Sequence, residues 1–176
     1  MIRAYGLQHV GFTVPDMDEA VNFFETVLGA STIMECGSVD VDAEFMKRRL
    51  GVPEGYRISD QRVLQVGNSG SLELFQYTGT DEPTPIKHNG EVGAMHIAFE
   101  VEDAFIAAER LRLLGVDVLD GPTQIEGGPM DGLIWLYFRT PWGQFLEIVS
   151  TDQRSGNEKT EIRKMYSPRL DPAAGQ

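Results

Sequence analysis

The sequence predicts an α+β fold made of one strand–helix–strands unit used twice, and three observations carry that prediction. A short motif recurs, Gly6-Leu7-Gln8-His9-Val10-Gly11-Phe12-Thr13-Val14 in one half and Gly93-Ala94-Met95-His96-Ile97-Ala98-Phe99-Glu100-Val101 in the other. Both copies alternate large apolar residues with small or polar ones at a period of two, the pattern of a half-buried strand. Each is followed by an apolar stripe of helical spacing, and each half then closes on a glutamate in an apolar run, Leu72-Glu73-Leu74-Phe75 and Phe145-Leu146-Glu147-Ile148-Val149.

The copies stay in register over most of their length. His9 and His96 lie 87 positions apart, and at that offset Gly6 meets Gly93, Phe12 meets Phe99, Val14 meets Val101 and Asp16 meets Asp103. One single-residue gap later, Gly29 meets Gly115. In the first helix Asp16 or Asp18 serves as cap, and Ala20, Val21, Phe24, Val27 and Leu28 form one apolar stripe. Ala104, Ala107, Ala108, Leu111 and Leu114 repeat it in the second, and Gly29 and Gly115 stand where a helix end favours positive φ.

The interval from His9 to Glu73 is 64 residues against 51 from His96 to Glu147, so the first copy holds an insertion of about 13, placed near 41–56. Phe45, Met46, Arg49 and Leu50 suggest a short helix there, closed by Gly51 and Pro53. It is a pocket wall or a surface decoration. Later strands are marked by turns at Gly67-Asn68-Ser69-Gly70 and Thr140-Pro141-Trp142-Gly143, which read as antiparallel hairpins. A turn centred on Pro141 and Trp142 sets Leu136 opposite Glu147 and Phe138 opposite Phe145, with Trp135 and Tyr137 on the other face as packing or dimer contacts. The domain reading is a first module over 1–78, a Pro-, Thr- and charge-rich connector over 79–91, a second module over 92–150 and a polar tail over 151–176. The tail is expected to be disordered in part or to drape over a partner. The connector is long enough for the modules to pack within one chain or to exchange between two.

Composition removes several function classes. No apolar run approaches the length of a membrane span, the N-terminus lacks a signal-peptide pattern, and a soluble cytoplasmic protein is expected. Cys36 is the lone cysteine among 176 residues, which excludes an internal disulfide and argues against a thiolate zinc site. With a formal net charge of −12, the chain lacks the clustered Lys and Arg that nucleic-acid binding needs. Any metal must therefore be held by nitrogen and oxygen donors.

Strand parity makes the two histidines candidates for that role. His9 shares its face with Gly11 and Thr13, and His96 with Ala98 and Glu100, while Val10, Phe12, Val14, Ile97, Phe99 and Val101 take the opposite faces. Small neighbours leave room beside each imidazole. Two histidines and two carboxylates at matching places in a duplicated unit converge on one point if the copies pack about a pseudo-twofold axis.

On these residues the chain resembles the vicinal oxygen chelate superfamily, which includes glyoxalase I, methylmalonyl-CoA epimerase, extradiol dioxygenases and the bleomycin and fosfomycin resistance proteins. The resemblance rests on the run from His9 to Asp16 with its helix ending in Leu28-Gly29, the run from His96 to Asp103 with Leu114-Gly115-Val116, and the closing run from Thr140 to Glu147. It implies two βαβββ modules forming a cup-shaped, barrel-like mixed sheet around a divalent metal, with His9, Glu73, His96 and Glu147 as ligands. Such an N2O2 donor set suits Zn, Ni, Co, Mn or Fe(II) without choosing among them.

The leading functional expectation is an isomerase or lyase of the glyoxalase and epimerase type. A substrate chelating through neighbouring oxygens has its carbonyl polarised, and Glu147 or Glu73 moves the proton by way of an enediolate or enolate. The first alternative is an Fe(II) ring-cleaving dioxygenase with a facial triad of His9, His96 and Glu147, against which Glu73 stands as a fourth ligand. The second is a drug-sequestering protein on the same fold. The expected partner is a small molecule, in a homodimer, with neither nucleic acid nor membrane involved. His88 is read as an exposed connector residue, and Arg57, Arg62 and Arg139 as solvated strand-end charges rather than substrate anchors. Phe75, Leu136, Phe138 and Phe145 are assigned to the cup, implying an organic body larger than a simple methyl ketone.

Overall fold

The computed structural model describes residues 4–79, 85–151 and 166–170. It divides into two compact units, Met1–Pro85 and Ile86–Gln176. The first runs β1 (His9–Thr13), α1 (Met17–Leu28), β2 (Ser31–Glu35), α2 (Ala43–Leu50), β3 (Arg57–Gln65) and β4 (Ser71–Thr78). The second runs β5 (Ile97–Glu100), α3 (Ala104–Leu113), β6 (Asp117–Val118), β7 (Thr123–Gln124), β8 (Ile134–Arg139) and β9 (Phe145–Ser150). Their sheets have the order β1-β4-β3-β2 and β5-β9-β8-β6, with β7 pairing β8. In both, the first strand lies parallel to the last and the other pairs are antiparallel. The fold is α+β, as the sequence predicts, with one open mixed sheet in each unit.

Local chemistry sets the helix limits. The Asp16 carboxylate accepts from the Glu19 backbone N–H at 2.9 Å, and Asp103 accepts from Phe105 and Ile106 at 2.8 and 3.0 Å, so the equivalent aspartates cap equivalent helices. Gly29 and Gly115 adopt φ of 65° and 75°, where a side chain would be strained. The helix expected in the insertion is α2, capped by Asp42 and ended by Gly51.

Each helix covers the sheet face away from the histidine. In the first unit Phe12, Val14, Ala20, Phe24, Leu64, Leu72 and Leu74 are buried, with Phe12 and Phe24 rings 6.0 Å apart. In the second, Ala104, Ala108, Leu111, Leu136, Phe138, Leu146 and Ile148 form the core. Burying each large side chain contributes about 1.5–3 kcal/mol, which makes these faces the main source of stability.

One sequence expectation is overturned at the last hairpin. Tyr137, not Leu136, lies opposite Glu147, and Leu136 lies opposite Ile148. The turn is one residue longer than a two-residue hairpin. Thr140 pairs with Gln144 through an N–H donated to the Gln144 carbonyl at 3.0 Å, and Gly143, at φ 91°, donates to Thr140 at 2.9 Å. A three-residue loop of Pro141, Trp142 and Gly143 shifts the register by one and exchanges the two faces of β8. Leu136 and Phe138 are therefore fully buried core residues rather than cup residues. Trp135 and Tyr137 share the Glu147 face instead of opposing it.

The remaining outlying expectations divide. His88 is exposed, with its backbone N–H donating to Glu91 at 2.7 Å. Most of the tail lies outside the described residues, but Ser167 donates to Glu100 at 2.6 Å, beside a 3-10 turn over Pro168–Leu170. That stretch is held by its own unit. No helix among the described residues is long and apolar enough to cross a membrane.

Because the hairpin register decides which face each residue joins, substitutions on adjacent positions should differ sharply. Phe138→Ala is expected to cost about 3–5 kcal/mol in a denaturant titration. Tyr137→Phe should cost under about 1 kcal/mol in the same measurement.

Candidate metal centre

Each unit brings one imidazole and one carboxylate together. Parallel pairing sets Gly11 beside Glu73 on β1 and β4, and Ala98 beside Glu147 on β5 and β9. The histidine two residues earlier in each first strand shares the face of that small residue, so its ring reaches the carboxylate across it. His9 Nε2 lies 3.3 Å from Glu73 Oε2, and His96 Nε2 lies 3.2 Å from Glu147 Oε2. All four predicted ligands are thus placed in two matched pairs. Among the described residues no third His, Cys, Asp or Glu joins either pair.

The donor chemistry fits a metal ion. Metal–N and metal–O bonds of about 2.1 Å at tetrahedral to octahedral angles separate adjacent donors by about 3.0–3.4 Å, and both pairs fall in that range. In the first pair the Gln8 side-chain oxygen faces His9 Nδ1. Placing the ring proton there leaves the Nε2 lone pair aimed at a carboxylate oxygen, an arrangement that needs a cation or a second proton between them. Histidine ligands are ordinarily held in this way, by a partner on the other nitrogen.

The surroundings of the two pairs differ. Gln61 on β3 donates its amide to Glu73 Oε1 at 2.8 Å, leaving Oε2 for His9. At the equivalent register of the second unit stands Trp135, whose ring packs 5.3 Å from Tyr137. The Tyr137 ring stands edge-on to His96 at 5.0 Å, with its hydroxyl 3.4 Å from His96 Nε2. Burial pushes the Glu147 carboxyl above the usual carboxylate range, although the His96 ring pulls it down. Tyr137 is held above the ordinary phenol range by burial and by the Glu147 charge, and Tyr77 likewise by burial and Glu73.

Gln8, Gln61 and Tyr137 escape a motif-based reading. Tyr137 follows from Gly143, once that glycine is given the left-handed place in a three-residue loop. Gln61 carries no motif, although the register from the turn over 67–70 runs unbroken to it and sets it opposite Phe75. The three arginines are committed elsewhere. Arg62 pairs with Asp18 and Asp60, both at 2.9 Å, and Arg139 pairs with Asp117 at 3.0 Å while lying 4.8 Å above the Phe145 ring. Arg57 donates to the Tyr56 carbonyl.

Comparison with known proteins agrees with this architecture. Residues 6–148 match the Glyoxalase/Bleomycin resistance protein/Dioxygenase superfamily, and the chain belongs to it. A 2-epi-5-epi-valiolone epimerase from Actinomyces sp is 38% identical over 170 residues, spanning 94% of this chain and 90% of that protein. A glyoxalase family protein from Bacillus cereus superposes with a TM-score of 0.68 at 18% identity, over 85% of this chain and 96% of the other. A genomically encoded fosfomycin resistance protein from Listeria monocytogenes gives a TM-score of 0.56 at 16% identity, over 85% and 94%. At such identities the solved structures establish the fold alone.

The raised Glu147 carboxyl makes a signed prediction for the metal-free protein. A carboxyl harder to ionise when folded costs nothing below its ordinary value of 4.5, and the cost grows as pH rises through the folded value. Glu147→Gln should therefore raise Tm at pH 7, with the gap closing below about pH 4 in a thermal melt series.

Proposed function

We propose that the chain is a divalent-metal-dependent epimerase acting at a carbon beside a carbonyl, with His9, Glu73, His96 and Glu147 holding one ion. The observation that carries this reading is the pair of imidazole–carboxylate contacts, at 3.3 and 3.2 Å, on equivalent strands of the two units. The epimerase relative, similar over nearly the whole chain, supports the reaction class. Glyoxalase-type isomerisation or lyase chemistry would use the same donors. Glu73, within reach of His9, is a fourth donor where ring-cleaving oxygenation requires three ligands and three open positions.

When bound, a divalent ion supplies Lewis acidity that makes the carbon–hydrogen bond next to a chelated carbonyl easier to ionise. The rest falls to the protein. Epimerisation removes a proton from one face of a carbon and returns one to the other, so two acid–base groups serve better than one. Glu73 and Glu147, carried by different units, are the two carboxylates available. Tyr137, beside both His96 and Glu147, is placed to donate a hydrogen bond to an oxygen of the substrate. The two faces also present Thr13, Gln61 and Tyr77 in one unit and Trp135 and Phe145 in the other. This mix of hydroxyl, amide and aromatic groups suits a polyhydroxylated cyclic ketone, which has polar edges and apolar ring faces.

Incubating metal-loaded protein with 2-epi-5-epi-valiolone in D2O should yield an epimer carrying one deuterium at the inverted carbon, followed by NMR. Chelation of the metal should stop the reaction, and readdition of a divalent ion should restore it. Glu147→Gln and Glu73→Gln should each lower kcat by about 10²–10⁴. Neither epimer nor deuterium with the metal-loaded chain would sink the assignment to this substrate.

A further inference from the structure

We infer that Gln61 is a positioning residue that clamps the Glu73 carboxylate for metal binding, making the first pair the preorganised half of the centre and leaving the second pair unclamped. The inference rests on the reading of His9 and Glu73 as ligands.

The geometry of the sheet brings Gln61 to this task. In the β3–β4 ladder Val63 lies opposite Glu73 and Gln61 opposite Phe75, so Gln61 is the diagonal neighbour of Glu73 on the same face. A diagonal pair is bridged only by long side chains, and glutamine and glutamate together span it. The backbone at Gln61 is itself held, because its carbonyl accepts from the Cys36 N–H at 2.8 Å. The amide then donates to Glu73 Oε1 at 2.8 Å, a bond strengthened by the charge of the acceptor. With one carboxylate oxygen occupied, the other is turned to His9. Gln8 completes the arrangement by facing the far nitrogen of the His9 ring.

The second unit has no equivalent amide among the described residues, and the Tyr137 hydroxyl lies 3.4 Å from His96 Nε2 instead. Met95 stands at the place of Gln8 and Trp135 at the place of Gln61, so neither ligand is gripped by an amide from those positions. His96 is the one polar side-chain partner of Glu147 among the described residues. A duplicated fold has been made asymmetric by two glutamines. The clamped carboxylate retains its orientation through the reaction, and the unclamped one is free to turn as substrate enters.

Titration of the metal-free full-length chain with Co2+, by calorimetry and visible absorption, tests the clamp directly. Gln61→Met keeps the length and removes the donor. It should weaken Co2+ binding by about 10–100-fold while leaving the metal-free Tm within a few degrees. Gln61→His, which retains an N–H donor, should recover much of that loss. In turnover, the Gln61→Met defect should appear as a higher Co2+ requirement that saturating metal largely corrects. Wild-type Co2+ affinity and an unchanged absorption spectrum in Gln61→Met would overturn the clamp. If Gln61→Met does not fold, Gln61→Asn, one carbon too short to reach, carries the same expectation and the same overturning result. A natural chain that binds no Co2+ would instead overturn the ligand reading beneath it, which keeps the two failures distinct.

Discussion

The parallel pairing of first and last strand within each unit is the constraint on which everything else depends. Residues far apart in sequence become lateral neighbours on one face, because β1 lies beside β4 and β5 beside β9. A parallel pair needs a crossover, and α1 and α3 supply it while covering the opposite face. The helix is thus both connection and core. Its presence on one side commits the other side of the sheet to the histidine and the glutamate. Period-two alternation leaves no intermediate choice, since a residue sits either with the helix or with the histidine–glutamate pair.

Much of this was legible in the sequence because duplication supplied an internal control. Asp16 with Asp103, and Gly29 with Gly115, marked the same helix ends twice, and the structure places capping carboxylates and left-handed glycines there. The two histidine–glutamate pairs were legible for the same reason. What a single chain did not disclose was register across its turns. Pro141 and Trp142 look like the centre of a tight hairpin, yet Gly143 takes the left-handed place and lengthens the loop by one. That one residue moved Leu136 and Phe138 into the core and brought Trp135 and Tyr137 to Glu147. Gln61 was within reach of a count from the β3–β4 turn, but a glutamine in a strand carries no motif that would single it out.

The corrected register also alters the character of the site. With Leu136 and Phe138 withdrawn to the core, Glu147 has the polar-edged rings of Trp135 and Tyr137 on its face in their place. Phe75 and Phe145 remain on the donor faces, the latter beneath Arg139. Side chains of this kind offer polar edges beside apolar ring faces. Two of the three arginines that the sequence reads as solvated strand-end charges, Arg62 and Arg139, are paired with Asp18, Asp60 and Asp117. Those two guanidiniums are already committed to carboxylates, whereas exposed Arg57 donates, among the described residues, only to the Tyr56 carbonyl.

The hydrogen bond from Ser167 to Glu100 gives the end of the chain a say in what surrounds His96. Glu100 belongs to the same row of side chains as His96 and Ala98, and its carboxylate is neutral to neither solvent nor ligand once its hydroxyl partner is gone. A protein cut short before residue 166 would keep both histidine–glutamate contacts, yet would leave the Glu100 carboxylate without its hydroxyl donor. The Ser167 hydroxyl thus makes a residue far along the chain a chemical variable of the row that carries His96.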